Sequence, residues 1–274
     1  MSKFHRRSMA GLAATALGLS GAIVASVPGV AAAAEECVAE TTSIQIFSFN
    51  DFHGRVEGAA NLFTVVEEAR AALGEDNVLL TSNGDSIGGS TFVSAVADDN
   101  PTLDVLQAAG LEVSAAGNHE FDKGWSDLSG RVVPHGPLDQ RFPYVAANVL
   151  DGAGNVAAPL KAYELFEKGG VTIAVVGAVT RDLPSLVSPS GIAELDIIDP
   201  VEAVNSVAAD LKDGDDSNGE ADIVIASIHE GAPSGSPDAA TGAESSQNFA
   251  DIYNDIHESV DVVFNGHTHY QYDW

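Results

Sequence analysis

Leu111-Glu112-Val113-Ser114-Ala115-Ala116-Gly117-Asn118-His119-Glu120-Phe121-Asp122 sets an amide, an imidazole and two carboxylates directly behind a short apolar run. Core strands commonly end in turns of Gly, Asn, Asp or Ser, so Gly117-Asn118 alone predicts only a strand end after 111–115. His119 and Asp122 add groups that bind metals or move protons near neutral pH. Four other apolar segments end in the same way. Residues 44–49 alternate like a strand and run into Asn50-Asp51-Phe52-His53-Gly54. The short run 78–80 leads to Ser82-Asn83-Gly84-Asp85, and 223–228 ends at His229. The last, 260–264, ends at Asn265-Gly266-His267-Thr268-His269.

Between these strands lie helical patterns. Residues 61–73 carry Leu62, Val65, Val66, Ala69 and Leu73 at helical spacing, with Gly74 as a stop. Further helices are predicted at 91–97, 102–109 (opened by Pro101), 125–133, 200–211 and 249–256. Strands are predicted at 144–149, 162–167 and 171–179, the last two joined as a hairpin through Gly169-Gly170. Residues 213–220 form an acidic surface turn, and 231–246, rich in Gly, Ser, Pro and Ala, a mobile loop. Alternating strands and helices predict an α/β fold. In such sheets ligands bind outside the carboxyl ends of the strands, where parallel strands would bring all five motifs together.

Residues 1–34 have a basic start, an apolar run and Ala32-Ala33-Ala34 as a cleavage site, the pattern of a secretory signal peptide. A secreted chain is therefore expected, with a flexible mature terminus at 35–42 and no membrane span after cleavage. Its one cysteine, Cys37, excludes an internal disulfide. With 40 acidic against 12 basic residues, the net charge of −28 disfavours nucleic-acid duplexes and anionic membranes as electrostatic partners. The same field attracts divalent cations.

Five of the eight histidines stand at the strand ends; His5, His135 and His257, the last in a predicted surface helix, do not. Asp51 and His53, as alternate strand residues, would point the same way and grip one ion together. His267 and His269 share that spacing on a turn and could serve two ions, and Asp85 has two oxygens with which to bridge. Each motif alone also fits a plain polar turn, and His229 a hydrogen-bonded core histidine. Together, in this order, they point to a metal centre. Imidazole, carboxylate and amide ligands suit Zn, Mn, Fe or Co, and two such ions about 3.5–4 Å apart form the clamp of phosphatases and nucleases. An acidic calcium-binding surface protein would explain the charge but not the histidines.

Asp51-Phe52-His53, Gly84-Asp85, Gly117-Asn118-His119-Glu120, His229 and Gly266-His267-Thr268-His269 together resemble the ordered signature of the calcineurin-like metallophosphoesterases. The longer forms, Phe49 to Gly54 and Gly117 to Asp122, resemble the secreted 5′-nucleotidase branch, which includes UDP-sugar hydrolases and 2′,3′-cyclic-nucleotide phosphodiesterases. The resemblance implies a two-sheet sandwich flanked by helices and two divalent ions. Asp51, His53 and His269 would hold one ion, Asn118, His229 and His267 the other, and Asp85 would bridge them. Some family members carry Gln where His269 stands. His119, oriented by Asp122, would form a catalytic dyad, with Asn118 and His119 touching the substrate phosphate while a metal-bound hydroxide attacks phosphorus. Chains of that branch continue past the last motif, complete the sandwich and add a nucleotide-binding second domain. Here the sequence stops at Trp274. The expectation is thus a catalytic domain at 43–274, incomplete at its C-terminus and without the second domain. The expected activity is 5′-nucleotidase, with cyclic-nucleotide phosphodiesterase, UDP-sugar hydrolase or an inactive metal-binding fragment as alternatives.

Overall fold

The computed structural model describes residues 42–233 and 235–274. The predicted signal peptide, Cys37 and all but the last residue of the 35–42 terminus lie outside the described residues. In chain order the regular elements begin with β1 (Gln45–Phe49), α1 (Ala59–Leu73), β2 (Val78–Ser82), α2 (Phe92–Ala95), α3 (Asn100–Ala108) and β3 (Val113–Ala115). Then come α4 (Trp125–Asp127), β4 (Tyr144–Val145), β5 (Val149–Leu150), β6 (Tyr163–Lys168), β7 (Val171–Val179), α5 (Leu183–Leu186) and β8 (Asp196–Ile197). The last are α6 (Pro200–Asp210), β9 (Ile223–His229), α7 (Ala239–Ser245), α8 (Gln247–Asp255) and β10 (Val262–Asn265).

The strands form two four-stranded sheets. One has the order β1-β2-β3-β4, all parallel; the other is β10-β9-β7-β6, parallel except for the β6–β7 hairpin. A two-stranded ribbon, β5–β8, stands apart. Strand side chains alternate between faces, and that period sorts the apolar residues into three layers. Leu79, Val113, Ala115, Val145, Ile173, Val175 and Ile225 fill the space between the two sheets. Val78 and Leu80, one step out of phase with Leu79, face outward with Phe63 and Val66 of α1 and Leu103 and Leu106 of α3. Ala174, Val176, Val224 and Ala226 face the opposite way, with Val201 and Val204 of α6 and Ile252 of α8. Each fully buried Leu or Ile contributes about 1.5–3 kcal/mol. The result is the two-sheet sandwich with helices outside.

The sheets approach closely at Gly177 of β7. Ala147 donates its N–H to the Gly177 carbonyl at 2.7 Å, and a Cβ on Gly177 would overlap the Val145 carbonyl oxygen. That neighbour is backbone and cannot swing aside. Gly177→Ala is therefore expected to lower stability by about 1–3 kcal/mol through overpacking. An unchanged urea midpoint would show that the sheets can separate there without loss.

Several sequence expectations need correction. Helix α1 buries Ala59, Phe63, Val66 and Ala69, while Leu62 and Val65 face solvent, so its buried stripe is rotated from the expected one. The single strand expected at 144–149 is two short strands in different sheets, because Ala147 turns to pair with Gly177. The helix expected at 125–133 is one α-turn followed by a wider π-turn over Leu128–Val132. The loop expected at 231–246 contains α7, capped by the Asp238 carboxylate on the Thr241 N–H. His257 follows the end of α8 rather than lying in a helix.

Candidate metal centre

The alternation that builds the core also aims the site. On β9 the inner face carries Ile225, Ser227 and His229; on β2 and just beyond it, the inner face carries Leu79, Thr81 and Asn83. The two rows meet between the sheets. Ser227 Oγ bonds Asn83 Oδ1, and Asn83 Nδ2 donates to the Ile228 carbonyl at 3.3 Å. His229 is fully buried, with Nδ1 2.8 Å from the Asn83 carbonyl oxygen. A hydrogen on Nδ1 satisfies that carbonyl and leaves the Nε2 lone pair pointing at the site, the usual way a neighbouring carbonyl sets a ligand tautomer. His53 is held alike, with Nδ1 2.8 Å from the Gly88 carbonyl oxygen.

The five motifs converge at the carboxyl ends of β1, β2, β3, β9 and β10. His53 Nε2 lies 3.1 Å from His269 Nε2, 3.8 Å from Asp51 Oδ1 and 3.9 Å from Asp85 Oδ2. His269 Nε2 is 3.2 Å from Asp51 Oδ1, and His229 Nε2 is 3.0 Å from Asp85 Oδ2. Three sets of side chains thus have converging ligand atoms: Asp51, His53 and His269; Asp85, His229 and His267; and His53, Asp85 and His119. Asp85 and His53 each belong to two sets. Asn118 lies on the turn after β3 and is buried. Its Oδ1, Asp51 Oδ1 and His229 Nε2 are buried and form no well-aligned hydrogen bond among the described residues, the last two facing the candidate ligands His269 and Asp85. Buried polar atoms ordinarily form good hydrogen bonds, so three without one in a cluster of ligand atoms fit a bound cation.

The expected route for Asp51 and His53 is corrected here. Strand β1 ends at Phe49, so the pair is not aligned by strand alternation. Both sit in a turn with left-handed backbone, φ 51° and 45°. Asp85, His267 and His269 also have positive φ, so five of the seven described non-glycine residues in that region are candidate ligands. Such conformations cost of order 1–3 kcal/mol each and persist where the surrounding structure imposes them. Here main-chain bonds impose them: Asp51 N–H to the Gly84 carbonyl at 3.1 Å and His53 N–H to the Asp85 carbonyl at 3.0 Å.

The charged groups of this cluster shift one another's protonation. Burial opposes charge on His229, but the Asp85 carboxylate 3.0 Å away outweighs it and pushes the imidazole up to about 9. Asp85 moves the opposite way: burial would raise it, yet His229 holds it below the usual carboxylate range. Burial, followed by the charge on His229, lowers His267.

His119 Nδ1 sits 2.8 Å from Asp122 Oδ2. That hydrogen bond raises the imidazole above its ordinary 6.5 against the opposing effect of burial, with Asp85 adding to the rise. The pair is about one-third exposed, so its contribution to stability is small. Its sign is defined: the contribution is complete below pH 6.5 and fades as pH rises through the raised value. Asp122→Asn is expected to lower the His119 pKa in the chelator-treated chain, as followed by the ring-proton NMR shift. An unmoved titration would mean that Asp122 does not set the state of His119.

Sequence reasoning overlooked Asn83 and Glu120, because Asn and Glu in such turns ordinarily face water. For Asn83 the strand period was the available signal, since it continues the inner face of β2. A cleft of 1160 Å³ opens beside the cluster, lined in part by Asp51, Arg55, His269, Tyr253, Tyr270 and Trp274.

The sequence profile of the calcineurin-like phosphoesterase family matches residues 44–271. A cell wall protein of Listeria monocytogenes is 30% identical over 272 residues, covering 85% of this chain and 34% of that protein. An endonuclease of Bacillus subtilis is 32% identical, covering 84% of this chain and 20% of its own length. A 5′-nucleotidase of Vibrio vulnificus is 32% identical, with 78% of this chain and 38% of the relative covered. The solved Haemophilus influenzae NAD nucleotidase superposes with a TM-score of 0.62 at 22% identity, over 83% of this chain and 38% of that one, and so shares the fold. The chain spans a fifth to two-fifths of the length of these relatives.

Proposed function

The chain belongs to the calcineurin-like phosphoesterase family, and from that premise we propose that it hydrolyses nucleotide phosphoesters, as a 5′-nucleotidase, at a centre of two divalent ions. The observation that carries this reading is the buried trio of Asp51 Oδ1, Asn118 Oδ1 and His229 Nε2, which lack well-aligned hydrogen bonds within the converging carboxylates and imidazoles. Asp51, His53 and His269 would hold one ion, and Asn118, His229 and His267 the other, with Asp85 shared. The donor set suits Zn, Mn, Co or Fe. Such ions supply Lewis-acid charge and lower the pKa of the water they bind.

The chain's own residues supply the rest. Asp122 occupies His119 Nδ1, which leaves Nε2 as the ring's free nitrogen. A protonated His119 is a donor for an oxygen on which negative charge develops during P–O cleavage. Asn118 and His119 stand as contacts for the phosphoryl group. The adjoining cleft has room for a nucleotide. The 5′-nucleotidase relative supports a monoester substrate. A second reading, phosphodiester hydrolysis, is favoured by the endonuclease relative. UDP-sugar hydrolysis belongs to the same resemblance. Residues 43–274 would be the catalytic domain. The cell wall relative and the signal-like residues 1–34 support a place outside the cytoplasm.

Hydrolysis of AMP and of bis-p-nitrophenyl phosphate by the Mn²⁺-loaded chain separates these readings. Faster release of phosphate from AMP is expected, and a preference for the diester would favour the second reading. Turnover of neither would count against both.

A further inference from the structure

Glu120 is only 2% exposed and belongs to none of the three converging sets. Its carboxylate is nevertheless the most heavily bonded acceptor near the site. One oxygen, Oε1, accepts the N–H of Ser86 at 2.9 Å and of Ile87 at 3.4 Å. The other, Oε2, accepts the N–H of Asp85 at 2.9 Å and of Gly117 at 2.6 Å. All four donors are main-chain amides, drawn from the turns after β2 and β3. In return, Asp85 Oδ1 accepts the His119 N–H at 2.8 Å. The turns touch so closely that a Cβ on Gly84 would fall 2.6 Å from Gly117 N, and one on Gly117 2.5 Å from Asp85 N.

A carboxylate is costly to bury, and an apolar side chain could fill the same volume without that cost. What an apolar residue cannot do is receive four amides from two turns at once. We propose that Glu120 is a positioning residue that pins the turn carrying Asp85 to the turn carrying Asn118 and His119, and so fixes the shared ligand relative to both candidate ion positions. This role rests on the two-ion reading above.

Gln is the informative replacement because its shape is nearly the same. Whichever way the amide is turned, its NH₂ faces two main-chain N–H donors. Asp keeps both acceptor oxygens but is one methylene shorter. Glu120→Gln is expected to weaken Mn²⁺ binding about 10–100-fold, the usual range for groups that orient ligands. It should lower kcat far more than it raises KM, and Glu120→Asp should recover part of the Mn²⁺ affinity. A residue that only stabilised the fold would lower the unfolding midpoint in EDTA and leave the Mn²⁺ affinity of the folded chain unchanged. Glu120→Gln binding Mn²⁺ as the wild type does would therefore overturn the proposal. If wild type binds no Mn²⁺, the two-ion reading falls and this role with it.

Amide exchange of the wild-type chain decides the matter if Glu120→Gln does not fold. The Asp85, Ser86 and Gly117 amides should be protected like those of β2. Exchange as fast as in the exposed 213–220 turn would overturn the pin.

Discussion

Replacing His119 by alanine is expected to lower kcat by about 10²–10⁴-fold, the range for a positioned proton donor, with bound metal unchanged. The expectation follows from the two ends of the ring. Nδ1 is engaged by Asp122 at 2.8 Å, and the main-chain N–H of His119, which alanine retains, is what holds Asp85 Oδ1. The substitution therefore removes the imidazole while keeping the main-chain bond that orients Asp85. A parallel loss of metal would show His119 to be a ligand, which its convergence with His53 and Asp85 makes a real alternative. Activity and metal content measured on the same preparation distinguish the two.

Asp85→Asn is expected to have the larger effect, because Asp85 is the carboxylate common to two converging sets. Asparagine keeps one acceptor oxygen but loses the charge and the second oxygen that sharing needs, so both metal content and turnover should collapse. There is also a consequence for the chelator-treated chain. Asp85 and His229 are buried together at 3.0 Å, and breaking a buried pair costs about 3–5 kcal/mol. His229 can shed its proton, which places Asp85→Asn toward the lower end. The pH sign follows from the two shifts. Asp85, lowered, contributes stability above about 3.8 and loses it as pH falls; His229, raised to about 9, contributes fully below 6.5 and loses it as pH rises through 9. The urea midpoint of the wild-type chain in EDTA should therefore decline between those last two values, and that of Asp85→Asn should decline much less. Parallel declines would mean that the pair contributes nothing to folding.

The strand-end motifs were legible because a strand's two-residue period and its carboxyl-end turn are local properties. His229 illustrates this: Ile225, Ser227 and His229 share a face by parity alone, and that face lies between the sheets. The β6–β7 hairpin was legible for the same reason, since Gly169 and Gly170 both take the positive φ such a turn requires. What failed was anything decided by distant partners. Asp51 and His53 reach the site through main-chain bonds to Gly84 and Asp85, not through strand parity. Likewise Glu120 acquires its role only when the turns after β2 and β3 meet. The division of 144–149 depends on Gly177, about thirty residues on. By contrast α7 had a local signal in the Asp238 cap, outweighed by the Gly and Ser content around it.

Equilibrium dialysis of the wild-type chain against Mn²⁺, with metal counted by elemental analysis, tests the shared two-ion centre most directly. Saturation at two ions per chain, lost in Asp85→Asn, is the predicted result. Saturation below two, or binding that Asp85→Asn leaves intact, would contradict it.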